Sequence, residues 1–403
     1  MRRAGEDSII ILQAAPARIR NNDAHYAYRQ DSDFLYLTGF REHDALLVMI
    51  PDGDAGRSIL FCRERDPTRE MWDGRMVGLE SAVEDYGMDE AFDIKEADQR
   101  LRDLLPDRER IYHDLGRDPL FDQRLIGWLN EFRGTARKTF HAPEEIHALH
   151  DMLHDMRVYK SREELAVMRK SAKVAIEAHE RAMRACRPGL NEADITAGLM
   201  HTFIRNHCEA SYLPIVAGGA NACVLHYITN DEELRDGELL LIDAGAELDG
   251  YASDITRTFP INGKFSPEQK ALYEVVLHAQ LEAIEEVRAG RQWQDVHDTA
   301  VWVGTEGMIE LMNKENGLDL EVKPSLFCEF HGISRASLEE VSTEQNDTGA
   351  TVGFMSGLRR RKIKPCGAAE TGCYKLAGPD AASRHGRYKS KQTSLTRTPI
   401  ITV

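Results

Sequence analysis

Apolar and polar positions in the first third of the chain fall into short blocks with two different periods. SIIILQAA (8–15), DFLYLTGF (33–40), ALLVMI (45–50) and SILFCR (58–63) are apolar runs of strand length. EADQRLRDLL (96–105) and FDQRLIGWLNEF (121–132) repeat their apolar residues at helical spacing. The alternation predicts an α/β N-terminal domain over 1–145, a mixed sheet with flanking helices. No glycine-rich loop follows any of the runs, so no nucleotide site is expected. HAPEEIHALHDMLHDMRVYK (141–160) is polar and His-rich, and its 146–160 portion reads as a linker helix. His147, His150 and His154 stand at i, i+3, i+7, spaced to share a helical face and bind a metal. An exposed helix whose histidines have no role explains them more simply.

Cap signals dominate the next stretch. Ser161 and Glu164 form an S-x-x-E box ahead of Leu165, Met168, Ala172 and Ile176. Asn191 with Asp194 starts a second helix. Ser266-Pro267-Glu268-Gln269 starts a third, whose continuation ALYEVVLHAQLEAIEEV (271–287) reads as amphipathic. Between them lies LLLIDAGAELDGYASDITRTFP (239–260). Its apolar start reads as a covered strand, Asp249-Gly250 as a tight turn, and Tyr251 to Phe259 as a returning strand. Pairing about that turn sets Leu248 against Tyr251, Gly245 against Asp254 and Asp243 against Thr256. Asp243 and Asp254 are then diagonal neighbours on one face, about 7–8 Å apart at the backbone. Two carboxylates held together beside a buried strand repel, and one pKa rises, unless a cation sits between them. A divalent metal answers that need; solvated aspartates at an exposed hairpin are the plainer alternative.

Composition narrows the class. A chain of 403 residues suggests two or three domains, and a net charge of −16 disfavours nucleic acid as a partner. No apolar run is long enough to cross a membrane, and the run Ile9 to Leu12 is too short for a signal-peptide core. Seven scattered cysteines without a C-x-x-C pair point to reduced thiols and a cytoplasmic location. Cys208 and Cys223 lack a partnered His/Asn pattern, so a cysteine nucleophile is not expected.

The D-x-G-x-x-x-D-G-Y-x-S-D-x-T-R-T segment resembles the metal-binding hairpin of the Xaa-Pro aminopeptidases (aminopeptidase P), within the creatinase/methionine-aminopeptidase group. RNNDAHYAYRQDSDFLYLTGF (20–40) and MWDGRMVG (71–78) resemble that family's N-terminal domain. YKSREELAVMRKSAKVAIEAHERAMRACRPG (159–189) and YLPIVAGGANACVLHY (212–227) resemble its catalytic domain. The likeness runs from about residue 8 to about residue 334. It implies an α+β pita-bread domain over 161–334 and two divalent ions, usually manganese, held by two Asp, one His and two Glu. It also implies proline-containing peptides as substrates and a homo-oligomer. Asp243 and Asp254 match two of the metal ligands. His226 matches a His that contacts the substrate side of the site, and His331 one that lines the pocket and positions the peptide. Trp72 lies in a loop that in relatives reaches a neighbouring subunit's active site; packing in its own core is the ordinary role for a tryptophan.

The resemblance then breaks off. In HGISRASLEEVSTEQND (331–347) Arg335 takes the place of the liganding His, and neither glutamate segment of the family pattern follows. Residues 335–403 contain twelve Lys or Arg against six Asp or Glu, including RRRKIK (359–364), and read as a divergent, disordered basic tail. RRRKIK also fits a nucleic-acid or nuclear-localisation patch. The pita-bread domain is thus expected to be incomplete at its C-terminus and to hold at most one weakly bound Mn2+. Three outcomes stay open: an Xaa-Pro aminopeptidase, a catalytically inactive pita-bread binding protein, or a product whose reading frame shifts near Ser334.

Overall fold

Alternate burial along strand Ser8–Gln13 sets the architecture of the first unit: Ile9 and Ile11 enter one core, Ile10 and Leu12 another. The computed structural model describes residues 3–52, 56–134 and 141–316, with the backbone of 363–365 and 374–376. The chain divides into two compact units, Met1–Leu165 and Ala166–Val403. In the first, six strands run in the order Glu90–Asp93, Arg57–Cys62, Leu46–Ile50, Ser8–Gln13, Arg110–Tyr112 and Glu145–His147. Only Leu46–Ile50 is antiparallel to its neighbours. Helices Ala97–Leu104 and Pro119–Gly134 bury Leu101, Leu125 and Leu129 against one face. This is the expected mixed sheet with flanking helices.

Two expectations fail here. DFLYLTGF is not a strand: Ser32–Thr38 is a helix, capped by the Asp31 carboxylate, which accepts from the amides of Asp33 and Phe34. Gly39 ends it in the left-handed conformation (φ 67°). Nor is 146–160 a linker. Glu145–His147 is the edge strand of the sheet, and helix Leu149–Val158 buries Leu149 and Leu153 in the core that holds Ile10. The histidines therefore do not share one helical face. His147 lies in the strand and pairs with Glu145, and His150 donates to Asp114 at 2.7 Å.

The second unit is built on a three-stranded antiparallel sheet, Ile215–Gly218, Leu239–Ala244, Ile255–Pro260. A smaller sheet continues it: Tyr251–Ala252, Ala246–Leu248, Glu209–Ala210. Helices Arg162–Ala185 and Glu192–Arg205 contribute Ala175, Ala178, Leu199 and Phe203 to a core shared with Leu240 and Ile242. The three predicted helix starts form: capping boxes at Ser161 and Ser266 as expected, and at Asn191 the expected cap is a full box with Asp194. Helix Pro267–Glu285 departs from the expected single apolar stripe. It buries only Ala279 and Ala283, while Val276, Leu281 and Ile284 are exposed. It pairs with helix Trp293–Asn316, where Gly307 leaves room for Val275. Ile363–Pro365 and Tyr374–Leu376 pair with each other and join neither sheet. The remainder of 335–403, and with it the expected disorder of the tail, lies outside the described residues.

His179, 2% exposed, has a pH consequence. Burial holds its imidazole below the ordinary value of 6.5, although the ring hydrogen-bonds the Ala175 carbonyl at 2.9 Å. The unfolded chain therefore takes up this proton first as pH falls. The contribution is intact above pH 6.5 and is lost progressively below it, down to the folded-state value. Urea unfolding at pH 7.5 and 5.5 should show a smaller loss of stability for His179→Leu than for wild type. Equal losses would contradict a neutral, buried imidazole.

Candidate metal centre

The hairpin forms as its turn chemistry dictates. Asp249 and Gly250 both have positive φ, 51° and 80°, the requirement of a type I′ turn. Counting back from it gives Leu248 opposite Tyr251 and Asp243 opposite Thr256, the register read from the sequence. Between these pairs the two strands pass from one sheet to the other. At Gly245 they approach so closely that a Cβ would lie 1.7 Å from the Ser253 carbonyl oxygen. Hydroxyls brace this crossing. Ser211 donates to the Ser253 carbonyl at 2.8 Å, and Ser171 to the Ala246 carbonyl at 2.6 Å. The Ser211 amide reaches the Gly245 carbonyl at 3.0 Å.

Asp243 and Asp254 emerge on one side of the crossing, both half-buried. Tyr212 brings them together: its hydroxyl lies 2.5 Å from Asp243 Oδ1 and 2.8 Å from Asp254 Oδ1. A hydroxyl carries one proton and can donate to only one carboxylate at a time. Burial first, then hydrogen bonding to Asp243 and its charge, raise the Tyr212 pKa and keep that proton in place. Burial likewise pushes the Asp243 carboxyl above the usual carboxylate range. Hydrogen bonds from Tyr212 and Thr256 oppose the shift, and the Asp254 charge adds to it. The site thus has more acceptor oxygens than donors, which a divalent cation would relieve. The donor set fits such an ion. Among the described residues, no third His, Cys, Asp or Glu joins the pair in a metal-holding group.

The other predicted residues lie elsewhere. His226 is exposed on the loop that follows strand Ile215–Gly218. Trp72 belongs to the first unit, on helix Pro67–Asp73; at 84% exposure it is not a core tryptophan. His331 lies outside the described residues. Nothing local in the sequence marks Tyr212 as part of the site. Its only signal is its place just ahead of Ile215, which pairs with Asp243, and that pairing is long-range.

Comparison with known proteins gives matches on both units. Residues 166–353 match Metallopeptidase family M24, and residues 1–112 match the aminopeptidase P N-terminal domain. The Xaa-Pro aminopeptidase of Escherichia coli (strain K12) is 39% identical over 331 residues, 81% of this chain and 75% of the relative. That of Haemophilus influenzae is 37% identical over 81% of this chain and 74% of its own length. An aminopeptidase structure from Pseudomonas aeruginosa superposes with a TM-score of 0.74 at 50% identity, covering 76% of this chain and 70% of that one. Proline aminopeptidase P II from Yersinia pestis gives a TM-score of 0.74 at 41% identity, covering 77% and 71%.

Proposed function

The chain belongs to metallopeptidase family M24, with an aminopeptidase P N-terminal domain ahead of a pita-bread domain, and on that premise we propose that Asp243 and Asp254 hold a divalent ion for releasing the N-terminal residue from peptides with proline second. The family is one of metallo-exopeptidases, so a divalent metal is implied; manganese is proposed because carboxylate oxygens are hard ligands. The observation that carries this reading is the convergence of both carboxylates on the Tyr212 hydroxyl. A bound ion would polarise the scissile carbonyl and lower the pKa of water towards neutrality. The chain's own residues prepare for it. Asp243 and Asp254 supply two negative charges, and Tyr212 keeps their oxygens convergent. His226 and His331 are proposed to contact the peptide, and Trp72 to serve the site of a second copy in a homo-oligomer. Proline supplies no N–H and fixes its φ, which sets such peptides apart as substrates. The scattered cysteines, and the absence among described residues of a helix apt to cross a membrane, fit action in the cytoplasm.

A specific observation favours a second reading, a pita-bread protein that binds without turnover. The described residues bring only two carboxylates together, and Arg335 stands where the family pattern has its liganding His. The nucleotide sequence downstream of His331, read in three frames, decides whether a frame shift underlies this. Calorimetry should find weak manganese binding, below two ions per chain. Hydrolysis of Gly-Pro-Leu should be slower than in an intact relative, by about 10²–10⁴-fold for each absent catalytic group, and abolished by EDTA. Metal binding without turnover selects the binding protein. Turnover that survives EDTA removes both the metal site and the proposed mechanism.

A further inference from the structure

Glu192 is an unusual residue for its position. It is the first residue of helix Glu192–Arg205, it is 0% exposed, and its hydrogen-bond partners among the described residues include no lysine or arginine. A buried carboxylate persists only when its oxygens are satisfied. Here Oε1 accepts from the Gly218 amide at 2.8 Å and from Asn221 Nδ2 at 3.1 Å. Oε2 accepts from the Tyr227 hydroxyl at 2.7 Å and from the Glu232 amide at 3.1 Å. The helix N-terminus adds a favourable field for the negative charge.

These four donors come from the two legs of one loop. Gly218 and Asn221 lie on the outgoing leg, Tyr227 and Glu232 on the returning one, and His226 stands between them at the exposed end, beside Leu225 (88% exposed). The rest of the region is held without the carboxylate. The returning arm is zipped to residues 189–192 by backbone bonds: Gly189 to Leu234, Leu234 to Leu190, and Glu192 to Glu232. Asn191 and Asp194 already cap the helix. The loop's own backbone bonds, Val224 to Asn221 at 2.9 Å and Tyr227 to Val224 at 3.2 Å, are single turns with no strand partner. Asn221 also donates to the Tyr227 hydroxyl at 3.1 Å, which closes a triangle with Glu192. Burial first, and Glu192 second, push the Tyr227 hydroxyl up to about 12, so it keeps its proton to donate.

We propose that Glu192 is a positioning residue that ties both legs of the 218–232 loop and thereby presents His226 to the peptide, without a part in holding the metal. The proposal rests on the reading of His226 as a peptide-contacting group. It separates two properties that general destabilisation would move together. Gly-Pro-Leu and manganese alone are titrated into wild type, Glu192→Ala, Glu192→Gln, Tyr227→Phe, His226→Ala and the Glu192→Ala/His226→Ala double variant. Amide hydrogen exchange of residues 219–229 is followed in the metal-free proteins.

Glu192→Ala should weaken peptide binding at least tenfold, with manganese affinity within twofold of wild type and faster exchange across 219–229. His226→Ala should weaken peptide binding similarly, and the double variant should lose no more than the larger single loss. Glu192→Gln and Tyr227→Phe, which remove fewer of the loop's ties, should fall between, and they carry the test if Glu192→Ala does not fold. Wild-type peptide affinity in the Glu192 and Tyr227 variants overturns the proposal, as do additive losses or a parallel loss of manganese. If His226→Ala binds as wild type, the proposal is also overturned while the family reading stands. A wild-type chain that binds neither manganese nor peptide refutes the proposed function itself, and the role of Glu192 falls with it.

Discussion

Asp254→Asn should eliminate detectable manganese binding while leaving the metal-free fold as stable as before, or slightly more so. The two effects have one cause. Asp243 and Asp254 share one hydroxyl proton donor in Tyr212 and sit half-buried on one face. Removing either charge takes away half of the anionic ligand set found among the described residues. Substitutions that only orient a ligand cost about 10–100-fold in metal affinity; loss of a direct ligand from so small a set should exceed that. The metal-free chain meanwhile loses a like-charge contact. Burial is the largest cause of the raised Asp243 pKa, and the Asp254 charge contributes to it. A carboxyl whose folded-state pKa is raised imposes its penalty above that pKa, and sheds it as pH falls through the folded value towards 3.8. Asp254→Asn should flatten that dependence. Calorimetry with manganese and urea unfolding across pH 4–8 measure both sides. Unchanged metal affinity would remove the hairpin from the site, and a large loss of stability would make Asp254 a structural residue.

What the sequence disclosed and what it withheld divide along the range of the interactions. The Asp249-Gly250 turn fixes its own φ signs, so the register that places Asp243 opposite Thr256 follows from counting. Asn191 with Asp194, and Ser266 with Gln269, are three-residue reciprocal bonds and were equally legible. The Ser32–Thr38 helix was local too, but its apolar run masked the cap at Asp31 and the stop at Gly39. Tyr212 is different in kind. Its partners lie 31 and 42 residues ahead, and only the pairing of Ile215 with Asp243 delivers it to them. Glu192 reaches 26 to 40 residues to its four donors. Nothing in RPGLNEAD marks that glutamate as buried. Residues 146–160 read as a linker helix because their composition is polar; two leucines on one face of helix Leu149–Val158 are enough to seat it in the core.

Gly245→Ala should be the most damaging single-methyl change in the described chain. The obstructing atom is the Ser253 backbone carbonyl, 1.7 Å from where the Cβ would sit, with the Ser253 carbonyl carbon at 2.6 Å and Ser211 Oγ at 2.9 Å. A flexible side chain could turn aside, but this carbonyl cannot, because Ser211 bonds it while Ser253 exchanges bonds with Ala246. The strands must therefore part where the hairpin changes sheets. Overpacking a core typically costs about 1–3 kcal/mol, sometimes more, and a rigid backbone obstacle places this variant at or above the top of that range. Function should suffer beyond stability, since the same crossing aims Asp243 and Asp254 at one oxygen. The control is Gly198→Ala, inside helix Glu192–Arg205, where an added Cβ meets nothing within 4 Å. There the substitution should stabilise by about 0.5–1 kcal/mol through helix propensity. Urea unfolding and manganese calorimetry on both variants decide the matter. If Gly245→Ala binds metal and unfolds like wild type, the strands are not held at contact distance, and the convergence of the two aspartates must have another cause.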